Sequence, residues 1–161
     1  MKDCGSCALC CKLLEVPGLA LPGKWCSFCR PGTSDGCCTI HDKRPDVCLG
    51  FNCFWRAEEW PDWLRPDKCK IIFEALPGVS TILLSVDPGT PDAWKKKEIL
   101  EVIEKLRRKG RPLVLKTEKN TVFFITEKAD KGTILKEIKQ VIDWKEKIND
   151  RAFIHNGFIN V

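Results

Sequence analysis

The chemistry available to this chain of 161 residues lies in its 11 cysteines, all of which fall between Cys4 and Cys69. The leading run is Cys4-Gly-Ser-Cys7-Ala-Leu-Cys10-Cys11. A two-residue spacer forms a tight turn in which two thiolates converge while backbone N–H groups point toward the sulfurs, so two consecutive C-x2-C steps let three sulfurs curl around one centre. Cys11 leaves the backbone in a different direction from Cys10. The adjacent pair therefore marks either two neighbouring sites or one ligand and one spare thiol. Further along stand Cys26-Ser-Phe-Cys29, Cys37-Cys38, Cys48, Cys53 and Cys69. One C-x2-C alone is a weak sign of a zinc knuckle, but its repetition behind a triple step is a strong sign of metal binding. For Cys29, Cys37 and Cys69 the competing reading is a small buried apolar side chain.

Thiols at this density mean disulfides or metal, and the compartment decides which. Asp3, Lys12 and Glu15 interrupt any secretory apolar segment, and no apolar run reaches membrane-spanning length, so a reducing cytoplasm and no membrane association are expected. A disulfide framework stays open as the lesser alternative, because the scarcity of Gln and Met beside abundant Lys and Glu is a hyperthermophile bias. The formal charge is +5. Eight thiolates holding two Zn²⁺, or two cubane clusters, would bring it to about +1, so net charge says little about a partner.

A longer pattern emerges when the thiols are taken with their neighbours. The string Cys4-x2-Cys7-x2-Cys10-Cys11, then Cys26, Cys38-Thr-Ile-His41, Arg44-Pro45-x2-Cys48 and Phe51-x-Cys53-x-Trp55 resembles the CxxCxxCC (YkgJ-type) family of zinc- or iron-chelating cysteine-cluster proteins. The resemblance covers roughly residues 4–60. It implies a metal-ligand set of Cys4, Cys7, Cys10, Cys11, Cys26, Cys38, Cys48 and Cys53, and metal chelation as the function. Some members of that family are described as iron–sulfur oxidoreductases, and a related cluster occurs in a flagellin lysine methylase. This chain departs from the pattern in having His41 where the family usually has Tyr, and in the extra thiols Cys29, Cys37 and Cys69. Those four residues are the possible additional metal ligands. A ligating His41 would favour zinc or a mixed-ligand iron site, while the plainer reading is a partly exposed histidine in an aromatic's place.

Spacing leans slightly to iron. C-x2-C-x2-C is the front of a bacterial ferredoxin run, although the fourth Cys after a three-residue gap and its following Pro are missing, and zinc accepts almost any four converging thiolates. The expected function is coordination of iron–sulfur cluster(s) or Zn²⁺ in a redox or cluster-carrying role. The alternative is a structural zinc module for protein or nucleic-acid binding. Enzyme activity, iron–sulfur oxidoreductase chemistry included, is left undecided. There is no G-x-G-x-x-G, P-loop, G-x-S-x-G or H-E-x-x-H motif, and His41 and His155 are the only histidines. The basic run from Lys105 to Arg111 invites nucleic acid, but Glu98, Glu101 and Glu104 interleave with the basic residues of this stretch as on a solvated helix face, which ranks that partner low. An unidentified protein partner fits as well.

The elements that must position these thiols divide the sequence into two. Residues 1–70 are rich in Gly and Pro and poor in apolar periodicity, which predicts an irregular module held by metal. Within it, Pro45 and Gly50 are placed to turn Cys48 toward Cys53, Arg44 to bond sulfur or Asp46, and Trp60-Pro-Asp-Trp63 to close the module against the second half. Residues 71–161 read as an α+β domain, a ββαββα two-layer sandwich. It has a hairpin of Ile71 to Leu76 and Val79 to Val86 across Pro77-Gly78, and a helix from Thr90-Pro91 to Gly110 with Trp94, Ile99, Val102, Ile103 and Leu106 inward. A second hairpin joins Pro112 to Thr117 with Thr121 to Thr126, and a second helix spans Thr133 to Ile148. The two hairpins are expected to form one antiparallel sheet. The apolar tail from Arg151 to Val161 makes a last strand or docks on either part.

Overall fold

Proline and glycine chop the cysteine-rich half into pieces too short to stand as isolated helices. The computed structural model describes residues 2–33, 37–75 and 80–117, with the backbone alone of 121–124 and 152–155. Its first half contains four single-turn helices: α1 (Cys10–Leu13), α2 (Asp46–Leu49), α3 (Phe54–Ala57) and α4 (Pro66–Cys69). Tight 3-10 turns at His41–Lys43 and Asp62–Leu64 lie between them. Pro66 opens α4 in the first turn, where a missing N–H costs nothing, and α2 follows directly on Pro45. Among the described residues none of these helices carries a side-chain cap, so each depends on what it packs against.

The second half is built on a sheet of order β1-β2-β3-β4-β5: β1 (Ile71–Ala75), β2 (Ile82–Val86), β3 (Leu113–Lys116), β4 (Thr121–Phe124) and β5 (Ala152–His155). The β1–β2 hairpin is present, with Ile71 opposite Val86 and Ala75 opposite Ile82, and its turn lies outside the described residues. The sheet as a whole is mixed rather than antiparallel. β2 and β3 run parallel, Ile82 beside Leu113, and β4 and β5 run parallel, Thr121 beside Ala152, while β3 and β4 are antiparallel. The reason is the connection: helix α5 (Lys97–Arg108) carries the chain from the end of β2 back to the start of β3, as a parallel crossover requires. The tail accordingly supplies a last strand. The expected helix over 133–148 lies outside the described residues, and so does the completion of the ββαββα order.

Helix α5 begins at Lys97 rather than at Thr90, because Ala93–Lys95 forms a separate 3-10 turn and Lys96 is extended (ψ 137). Its inward face is the expected one. Ile99 and Ile103 are buried, and Trp94, Val102 and Leu106 pack on the same core. The helix stops where Gly110 takes a positive φ of 79°. The Gly110 N–H then bonds the Arg107 carbonyl at 2.9 Å and the Arg111 N–H bonds that of Leu106 at 3.3 Å, a Schellman closure.

One apolar core crosses from the first half to the second. Leu9, Leu13, Phe54, Trp55 and Leu64 belong to the same buried cluster as Ile71, Phe73, Leu84, Ile99, Ile103 and Leu115. Trp60 is the hinge pin of this contact, stacked on Phe54 (5.5 Å between centroids) and edge-on to Phe73 (5.0 Å). A half-buried ion pair, Lys12 Nζ to Asp87 Oδ1 at 2.7 Å, ties α1 to the end of β2. Among the described residues no helix is long and apolar enough to cross a membrane.

Candidate metal centre

Each cysteine reaches the site through a local device that the sequence supplies. Gly5, at φ 53°, lets the chain turn so that the Cys7 N–H bonds the Cys4 carbonyl at 3.0 Å, and α1 then carries Cys10 and Cys11 on successive positions. The Cys26 N–H bonds the Cys11 carbonyl at 2.8 Å, which brings the second C-x2-C beside the first, and the Cys29 N–H closes that turn on Cys26 at 2.9 Å. An isolated bridge between Cys29 and Cys38 draws in the Cys37-Cys38 pair, with the Arg30 N–H on the Cys37 carbonyl at 2.6 Å. Cys48 rides on α2, which ends with the Gly50 N–H on the Asp46 carbonyl at 2.9 Å, and Cys53 stands at the start of α3.

These devices converge on one cavity of about 510 Å³. Cys4, Cys7, Cys10, Cys11, Cys26, Cys38, Cys48 and Cys53 all line it, joined by Cys37 and His41. Every one of the 11 thiols is free, so no disulfide framework holds this half together. Leu14, Val16, Leu19 and Phe51 give the wall an apolar part, while Lys2, Arg44 and Arg56 bring positive charge to it and Asp3 and Glu15 negative charge. Arg56 is fixed from behind by its Nε on the Lys2 carbonyl (3.2 Å) and its Nη1 on Asn52 Oδ1 (3.1 Å). Arg44 contacts His41 Nε2 through Nη1, and its buried Nε has no hydrogen-bond partner among the described residues. A buried donor left without an acceptor at the wall of a thiol-lined cavity suits an anionic occupant.

Electrostatics favour the protonated form of Cys4, Cys7, Cys11, Cys29, Cys37, Cys48 and Cys53. Burial pushes Cys7 up to about 11 and Cys29 up to about 12. Cys11 is raised first by its hydrogen bond with Cys10, and Cys37 first by its hydrogen bond with Cys11. Burial also raises Cys4, Cys48 and Cys53, opposed by the Arg56 guanidinium at Cys4, by that of Arg44 at Cys48, and at Cys53 by backbone N–H groups at the start of α3. Metal ligation needs thiolates, so each bond formed displaces a proton. Metal affinity, read by chelator competition, should therefore rise with pH through the neutral range by about tenfold per unit for each proton displaced. A flat profile would show that the metal meets thiolates already formed.

Three sulfurs come together in the trio Cys11, Cys29 and Cys37, whose Sγ atoms all lie within 4.8 Å of one another. This trio can hold a metal ion, although the family pattern leaves Cys29 and Cys37 as extras. Spacing along the chain does not announce it, because the Cys29–Cys38 bridge and the Cys26 N–H bond to the Cys11 carbonyl are what draw these thiols together. Cys69 is elsewhere, 4% exposed, with its thiol directed at the carbonyls of Leu64 (3.4 Å) and Ile71 (3.3 Å). That is the geometry of a buried structural thiol. His41 stands at the cavity edge with 66% of its side chain exposed, its ring between Arg44 and the Asp42 carboxylate (3.5 Å). Of the aromatics near the thiols, Phe51 lines the cavity, Phe54 and Trp55 are core, and Trp25 is exposed beneath Lys12 (5.5 Å to the ring centroid). No family model matches the chain, and no curated protein or solved structure matches it either.

Proposed function

We propose that this protein binds metal through its CxxCxxCC cysteines and holds an iron–sulfur cluster in the thiol-lined cavity, for electron transfer or for delivery of the cluster. One observation carries it: eight thiols scattered from Cys4 to Cys53, together with Cys37, face a single cavity of about 510 Å³, many times the space that one ion needs. The donor set is all soft sulfur, the kind that selects iron–sulfur clusters, zinc and cuprous copper over hard cations. Leu14, Val16 and Phe51 give such a site an apolar border, and Arg44 and Arg56 offset its negative charge. A cluster bound there supplies one-electron chemistry, with hydrogen bonds to sulfur and solvent exposure setting its potential. The resemblance of residues 4–60 to the CxxCxxCC family supports the same assignment. The test is an anaerobic absorption spectrum with iron, sulfide and zinc analysis of one purified sample. Broad visible absorption with stoichiometric iron and sulfide is expected. A colourless protein whose only metal is zinc would replace this reading with that of a structural zinc module, and turn attention to protein partners.

A further inference from the structure

We propose that Cys11, Cys26, Cys29 and Cys37 form a second metal centre, a tetrathiolate zinc site built into the cavity wall and separate from the cavity's own occupant. It does not depend on what the cavity holds, since three of its four sulfurs already lie together without it.

The geometry separates two kinds of ligand. In a cubane cluster each thiolate binds a different iron, and the bulk of the cluster stands between the sulfurs. Sulfurs on one tetrahedral zinc at about 2.3 Å stand only about 3.8 Å apart. The trio of Cys11, Cys29 and Cys37, with all sulfurs within 4.8 Å, is therefore near mononuclear spacing and too tight to surround a cluster. Cys29 and Cys37 are 6% and 9% exposed, and with Ala8 they form a small buried group of their own, distinct from the main core, against which Cys11 and Cys26 pack. Cys26 is the candidate fourth ligand: its sulfur is outside the 4.8 Å group, but its backbone is bonded to Cys11 on one side and to Cys29 on the other and its side chain packs on the same small group, so binding an ion needs only that thiol to close in. Cys29 does not line the cavity, whereas Cys11, Cys26 and Cys37 do, which puts the ion in the cavity wall. Cys4, Cys7, Cys10, Cys38, Cys48 and Cys53 are left facing the cavity, more than the four thiolates one cluster needs. The two adjacent pairs, Cys10-Cys11 and Cys37-Cys38, thereby divide between the two centres. A closed tetrathiolate site leaves no coordination position open, so this zinc is structural.

The test is metal analysis of the full chain purified anaerobically, wild type against Cys29→Ser, Cys37→Ser and Cys7→Ser. Wild type should carry one wall-site zinc per chain. Cys29→Ser and Cys37→Ser should each lose one zinc per chain with iron unchanged, and Cys7→Ser should lose iron while keeping that zinc. Zinc retained in Cys29→Ser, or iron lost from it in place of zinc, would overturn the proposal. Should these variants fail to fold, zinc-edge X-ray absorption of the wild type decides: four sulfurs at about 2.3 Å support it, and nitrogen or oxygen in the inner sphere, or absence of zinc, overturns it. A protein that purifies without iron but with a zinc that depends on Cys29 would end the cluster reading of the cavity and leave this one standing.

Discussion

Cys7→Ser and Cys48→Ser should each weaken metal retention by more than about 100-fold, since loss of an outer-shell partner alone costs about 10–100-fold and these changes remove the proposed ligand itself. Both side chains line the cavity, one from the Cys4–Cys7 turn and the other from α2. Cys69→Ser is the matched control. Its sulfur points at the Leu64 and Ile71 carbonyls, contacts that a hydroxyl can keep, so full metal content is expected with a stability change of about 1 kcal/mol. Metal-to-protein ratios and thermal unfolding of the three variants check this. Equal metal loss in all three would show that Cys69 belongs to the ligand set and that its buried position is a misleading guide.

Stripping the metal should have the largest effect of all. Structural thiolate sites in small modules contribute about 10–16 kcal/mol of apparent binding energy, which matches or exceeds the roughly 5–15 kcal/mol by which whole domains are stable. The expected result of chelation is collapse of residues 2–70. The shared core carries that loss further, because Trp60 is held between Phe54 of α3 and Phe73 of β1. Tryptophan fluorescence and the sheet's far-ultraviolet dichroism should therefore change in one transition as chelator is added. A sheet signal that survives after the fluorescence has changed would mean that residues 71–161 fold as an independent unit.

The parts legible in the sequence are those fixed by local chemistry. The Cys4–Cys7 turn, the packing of Trp60 against the second half and the inward face of α5 follow from turn residues and helical periodicity, and the structure has each in place; the helical turn that follows Pro45 is an addition of the structure. What local chemistry leaves open is direction across long separations. Nothing in the short strands β2 and β3 says whether they run parallel; the crossover through α5 decides it. The trio of Cys11, Cys29 and Cys37 was hidden for the same reason. It depends on the bridge between Cys29 and Cys38 and the bond from the Cys26 N–H to the Cys11 carbonyl, neither of which spacing announces. Arg44 sits beside His41 instead of pairing with Asp46, because the 3-10 turn at His41–Lys43 brings the ring back to the guanidinium.

The clasp between Lys2 and Arg56 sets a timetable for the newborn protein. Arg56 holds the Lys2 carbonyl across 54 positions, and Cys4 and Cys53 sit on the two sides of that closure. At roughly 5–20 residues per second, the first thiol leaves the ribosome on the order of 3–10 seconds before its opposite wall exists. The proposed wall site has all its ligands as soon as Cys37 has emerged, while the larger cavity still lacks the side that Cys48 and Cys53 supply. Any occupant of that cavity that needs both walls therefore waits for the finished chain.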